Sequence, residues 1–178
     1  MKETIAFDDA VDLLDADHKA VKKLFIDYNA LCEDGAPAAA KRSLAERICQ
    51  ELSVHAQIEE EIFYPEVRKA IGDDALMDEA LAEHAEAKDL IARIQDMKVS
   101  AADYDEAVKK LGKLIDQHVL EEREQIFLQA RQAALDLRAL AVPLFERKKQ
   151  LKGGGAAKPK AAAPAPAPAP KPAKKENA

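Results

Sequence analysis

The chain has 178 residues, no Trp, only 4% aromatic residues and a formal net charge of −6. That length suits one domain of about 150 residues plus an appendage, and a domain of that size folds without disulfides or a structural metal. Ala, Leu, Glu and Lys are prominent, which favours helix over sheet, and no run approaches the ~20 apolar residues of a membrane span.

The opening MKETIAFDDA carries acid where a secretory leader carries base followed by an apolar run. A cytoplasmic protein without membrane contact is the expectation. A first amphipathic helix is predicted over residues 8–31, ending before the turn CEDGAP. A second runs over 37–70, with Pro37 in its first turn and Pro65 inside it, where the ring should clash with the Glu61 carbonyl and bend the helix. Gly72-Asp73-Asp74 then breaks the pattern and caps a third helix over 75–98. The fourth spans 103–134. A short fifth, 136–151, should pack across the end, with Pro143 marking a kink or break. Short links between long helices predict an all-α, antiparallel up-down-up-down four-helix bundle.

Residues 152–178, KGGGAAKPKAAAPAPAPAPKPAKKENA, hold six Lys and one Glu. With no large apolar residue to bury, this segment is predicted to be a disordered tail of polyproline-II character. The domain is therefore 1–151 and the tail 152–178. The tail is a solvated tether, or a weak, salt-sensitive contact with nucleic acid or an acidic partner. Cys32 and Cys49 fit no metal spacing. Their predicted places on successive helices lie ~18 Å apart along the axis, too far for a bridge.

The apolar stripes carry the functional signal. Val11, Leu14, His18, Val21, Phe25 and Tyr28 alternate three and four apart in the first helix. Ile48, Leu52, His55, Glu59 and Ile62 do so in the second, Met77, Leu81, His84, Ala87 (or Lys88) and Ile91 in the third, and Val108, Leu111, Ile115, His118 and Glu122 in the fourth. All four histidines of the chain, and two glutamates, thus replace apolar residues on buried faces. Such groups are costly to bury unless something satisfies them, and a shared cation does. Their heights agree as well. At 1.5 Å per residue His18, His55, His84 and His118 lie ~21, ~27, ~21 and ~22 Å from the turns joining their helix pairs. His and Glu four apart on one helix project from the same side.

The sequence also echoes itself. Asp17-His18-x-x-x-Lys22-x-Leu24 matches Glu83-His84-x-x-x-Lys88-x-Leu90, and HAQIEEEIF from His55 matches HVLEEREQIF from His118. Two such halves supply one half-site each, as a dinuclear centre needs. A lone His on an apolar stripe is more often a satisfied core residue, and it is the joint placement of six that points to metal. The absence of thiolate ligands disfavours iron–sulfur and structural zinc sites, and mixed imidazole and carboxylate donors suit iron, with manganese or zinc as alternatives. Tyr28 and Tyr64 are read as packed core residues with tethered hydroxyls. Glu60, Glu61, Glu121 and Glu124 are read as outer partners of the imidazoles or as solvated charge.

The stretches DADHKAVKKLF, HAQIEEEIFYPEVR, EALAEHAEAKDLI and QHVLEEREQIF, in that order, resemble the four helices of the hemerythrin-like, HHE cation-binding domain family over residues 8–132. The resemblance implies two irons per chain, bridged by the carboxylates of Glu59 and Glu122 and by an exogenous oxo or hydroxo group, with His18, His55, His84 and His118 terminating them. The oxygen-carrying hemerythrins place a second His four residues after that of the third helix, where this chain has Lys88. They end the fourth-helix motif in His-x-x-x-x-Asp, where Arg123 stands at that offset and Glu122 one earlier. One iron is then short of an imidazole and carries water or recruits Glu121 or Glu60. The implied function is sensing or detoxification of O2, NO, peroxide or iron status rather than bulk O2 transport. The alternative is a helical interaction module, metal-responsive or metal-free, that acts through a partner.

Overall fold

A computed structural model of the chain describes residues 7–154, and over that span every regular element is helical. The Ala-Pro-rich segment predicted to be a tail lies outside the described residues from 155 onward. Helix α1 (Ala10–Glu33) opens on Asp9, whose carboxylate accepts a hydrogen bond from the Asp12 N–H and so satisfies one of the first-turn donors that have no helical partner. It closes on a turn in which Gly35 takes φ 62°, a conformation that costs other residues energy. Helix α2 (Ala38–Ile58) begins directly after Pro37. Helix α3 (Tyr64–Ile71) ends at Gly72, φ 68°, whose N–H reaches the Arg68 carbonyl. Asp73 then caps α4 (Asp74–Asp96) through the Leu76 N–H. Helices α5 (Tyr104–Glu121), α6 (Leu128–Gln132) and α7 (Leu137–Gly153) follow, the last capped by Asp136.

The predicted second and fourth helices are each interrupted by a π-turn, Glu59–Phe63 between α2 and α3 and Glu122–Phe127 between α5 and α6. Pro65 supplies a local cause for the first. Unable to donate to the Glu61 carbonyl, it sits in the first turn of α3, and the chain widens ahead of it instead of simply bending there. The second π-turn contains no proline. Both turns begin at the glutamate four residues after a buried histidine. The extra residue shifts the register, so that Phe63 and Tyr64 enter the core while Ile62, expected there, is only half-buried.

Side-chain pairs between helices show how the helices run. Lys22–Asp116, Asp15–Arg123 and Asp9–Arg131 step in opposite directions along α1 and the α5–α6 segment, and His84–His118 with Arg93–Asp103 do the same for α4 and α5. Helix α1 also packs on α2, α2 on α4, and α7 lies across α1, α2 and the first π-turn. Two expectations are corrected here. Leu81, expected inside, is 37% exposed, and the smaller Ala80 is buried in its place. Pro143 does not break α7: it and Ala139, whose carbonyl it cannot engage, both lie on the solvent-exposed face, where an unpaired carbonyl costs little.

The buried side chains form two apolar clusters. One gathers Leu13, Leu14, Ile58, Phe63, Val67, Met77, Phe127 and Leu144, and the other Val21, Ile48, Leu52, Ile91, Val108 and Leu111. Between them in every helix pair lies a polar layer, because His18 separates Leu14 from Val21 and His84 separates Ala80 from Ala87. Cys32 and Cys49 are unpaired, and burial pushes the Cys49 thiol up to about 12. Among the described residues no helix is long and apolar enough to cross a membrane.

Candidate metal centre

The polar layer consists of His18, His55, Glu59, His84, His118 and Glu122, each no more than 6% exposed. The Nε2 atoms of His18 and His55 stand 2.9 Å apart, and those of His84 and His118 3.2 Å apart. Glu59 lies between the pairs, with Oε1 3.0 Å from His55 Nε2 and Oε2 3.3 Å from His84 Nε2. Glu122 spans them from the other side, its Oε2 3.2 Å from His18 Nε2 and 4.0 Å from His118 Nε2. Two donor groups result, His18/His55/Glu59/Glu122 and Glu59/His84/His118, each with its ligand atoms within 4.8 Å of one another and with Glu59 common to both.

Four buried polar atoms of the layer make no hydrogen bond among the described residues: both oxygens of Glu59, Oε2 of Glu122 and Nδ1 of His18. Native structures leave few such groups, and burying a carboxylate without a partner costs several kcal/mol, roughly. Four imidazole nitrogens and two carboxylates converging in one buried layer are a donor set that suits a metal cation.

The outer nitrogens of three imidazoles are held by carboxylates. His118 Nδ1 lies 2.7 Å from Glu83, His84 Nδ1 2.9 Å from Glu60 and His55 Nδ1 3.4 Å from Asp17. A carboxylate only accepts, so each imidazole donates from Nδ1. This fixes the ring and leaves Nε2 facing the cluster, the arrangement that orients metal-binding histidines. Two of the acids are themselves paired with lysines, Glu60 with Lys88 and Asp17 with Lys148 of α7. Glu83 instead neighbours Glu121, and burial together with that carboxylate raises its pKa in spite of His118.

Charge in the layer is strongly coupled. Burial works against ionisation of His55, but Glu59 and Asp17 outweigh it and lift its pKa to about 10. Glu59 and Glu60 likewise lift His84 to about 9. Burial also opposes the Glu59 anion, yet His55 and His84 hold its carboxyl well below the ordinary range. The buried anions therefore recruit protons onto the imidazoles where a cation would otherwise neutralise them.

All six residues singled out from the sequence thus lie in one cluster. Glu60 does not face into it but backs His84, Glu61 pairs with Arg147, and Glu121 accepts from Gln117. Lys88 is drawn to Glu60 on the outside. Tyr28, as expected, tethers its hydroxyl in the core, donating to Asp105 at 2.7 Å. Tyr64 does more than pack: its hydroxyl donates to Glu122 Oε1 at 3.0 Å and stands 3.3 Å from His84 Nε2. Burial and the nearby glutamates push its pKa well up, so it stays a donor. Asp17 and Glu83 were not foreseen as anchors. Their signal was the acid that directly precedes the histidine in both copies of the internal echo.

A family model of the hemerythrin HHE cation binding domain matches residues 9–130. A DNA nickase from Nostoc sp. is 29% identical over 120 residues, 67% of this chain and 33% of that protein. The chain therefore spans about a third of the length of that relative. The crystal structure of a hemerythrin HHE cation binding domain-containing protein from Mycobacterium kansasii is similar with a TM-score of 0.69 at 21% identity, over 82% of this chain and 88% of that one. This likeness establishes the fold.

Proposed function

The chain belongs to the hemerythrin HHE cation-binding domain family, and from that premise we propose that it holds a non-haem di-iron centre and handles O2, NO, peroxide or iron status, as a sensor or detoxifying protein rather than a bulk O2 carrier. One observation carries the reading: two buried donor groups share Glu59, and both oxygens of Glu59 and Oε2 of Glu122 make no hydrogen bond among the described residues, facing only the imidazoles of the same layer. Such a centre supplies electron exchange with small oxygen and nitrogen species.

The chain's own residues do the rest. His18, His55, Glu59 and Glu122 offer four donors on one side, and Glu59, His84 and His118 offer three on the other. Lys88, at the position where oxygen carriers have a further imidazole, is held by Glu60 outside the cluster, which leaves the second side open. A notch of about 10 Å³, room for roughly one water-sized molecule, is lined by Leu76, Ala80, Glu83, Glu121 and Ile126 and reaches His118 and Glu122. Tyr64 places a hydroxyl donor beside that side. Phe127, stacked on His18 at 5.7 Å, and Phe63 against it exclude water from the first side. A cytoplasmic location agrees with this role.

The test is iron per chain by elemental analysis after anaerobic ferrous reconstitution and desalting. About two is the expected result, and one or none overturns the dinuclear reading. A second reading, a metal-responsive interaction module, draws support from the Nostoc relative, in which the matching region is a third of a longer protein named for action on DNA. A melting temperature that rises with metal, without turnover of peroxide or NO, favours that reading.

A further inference from the structure

Helix α7 lies beyond residue 130, where the match to the family domain ends. It nevertheless touches the polar layer through one link. Lys148 Nζ pairs with Oδ1 of Asp17, and the other oxygen of Asp17 faces His55 Nδ1. Both charged side chains are largely buried, at 17% and 13% exposure. Two further ion pairs fasten the same helix, Arg147 to Glu61 in the first π-turn and Lys152 to Glu51 in α2. Its apolar side, Leu137, Ala141 and Leu144, is buried.

We propose that Lys148 is a positioning residue for the first half-site: through Asp17 it sets the orientation of His55, and so makes retention of the cation held by His18 and His55 depend on α7. The proposal rests on the dinuclear reading above.

Two features make the effect one-sided. At 3.4 Å the Asp17–His55 contact is the longest of the three imidazole anchors, so whether it forms depends on how Asp17 is turned, and Lys148 grips its other oxygen. The first half-site has no second anchor in reserve, because His18 Nδ1 is unpartnered among the described residues. His84 and His118 are held independently by Glu60 and Glu83, out of reach of α7's link. Outer partners of metal-binding histidines typically change metal affinity by about 10- to 100-fold.

The experiment follows cobalt(II) release to a chelator from the reconstituted full chain, with metal counted per chain at each phase. For Lys148→Met, which keeps the aliphatic stem, one of two cobalt ions should leave about 10- to 100-fold faster while the other keeps its wild-type rate. Lys148→Arg should restore the slow phase. Asp17→Asn should reproduce the Lys148→Met trace, and the double variant should add nothing to it. Glu83→Gln should quicken the other phase instead. A purely structural role for Lys148 would lower the melting temperature of the metal-free chain and speed both phases together, and that outcome overturns the proposal. Unchanged release in both Lys148→Met and Asp17→Asn also overturns it. A wild-type chain that takes up fewer than two cobalt ions removes the dinuclear reading itself, whereas two ions with unaltered variants remove only the role of Lys148.

Discussion

His18 and His84 occupy equivalent places in the two halves of the chain, each one residue after an acid, yet their outer nitrogens meet different surroundings. His84 Nδ1 is held by Glu60, the residue after the shared glutamate of its partner segment. The corresponding residue for His18 is Arg123, a donor that cannot accept, and it turns away to Asp15. The pairing acids differ too, since Asp17 meets a lysine and Glu83 meets another carboxylate. A repeated sequence therefore yields two donor groups, each with two imidazoles and Glu59 but with unlike supports. A few positions outside the donor set, 60 against 123 and the neighbours of 17 and 83, decide how firmly each side is held.

The comparison breaks most completely where the halves meet. Glu59→Ala removes the donor common to both, and elemental analysis should find no more than one tightly held metal. His55→Ala should also abolish tight binding of the second metal, and full stoichiometry in both variants would refute the assignment. Arg123→Glu places an acceptor where Glu60 stands in the other half. Metal release from the first half-site should slow by up to about 10-fold, measured by chelator competition, while the second is unchanged.

Smaller effects sharpen the contrast. Tyr64→Phe deprives Glu122 Oε1 of its donor, at a cost of about 1–3 kcal/mol for a buried acceptor. Denaturant unfolding of the metal-free chain should show that loss, with two metals still bound on reconstitution. The pH dependence follows from the raised imidazoles. A folded-state pKa of about 10 for His55 and about 9 for His84, against an unfolded value of ~6.5, gives stability that is fully present below pH ~6.5 and is lost as pH rises through 9–10. The melting temperature of the metal-free chain should fall over that window. Metal affinity should change in the opposite sense, rising with pH as protons cease to compete, which titration with proton-release measurement would show. Least of all, removing residues 155–178 should leave metal content and melting unchanged. The cut belongs after Gly154, because α7 runs through Gly153 and Lys152 is bound to Glu51.

The six cluster residues were legible in the sequence because helical periodicity is local: 3.6 residues per turn fixes which side chains share a face, and 1.5 Å per residue fixes their height. The same reasoning placed the α1, α4 and α5 stripes within a few residues. It went wrong at Ile62 because a π-turn adds one residue to the period, and only Pro65 hinted at one of the two. It went wrong at Leu81 because positions three and four before His84 both fall near one face of a helix, and Ala80 is the one buried.

Composition, periodicity and internal repetition determined by themselves that this chain is helical, that its histidines and two glutamates are buried together, and that a cation suits them. Which glutamate oxygen meets which imidazole, that Tyr64 reaches Glu122, and that Lys148 of the last helix reaches Asp17 of the first were decided only by tertiary packing. The physical reason is range. Facing within a helix is set by neighbours three and four residues away, whereas an anchor between Asp17 and Lys148 joins residues 131 positions apart and exists only when the helices carrying them have docked.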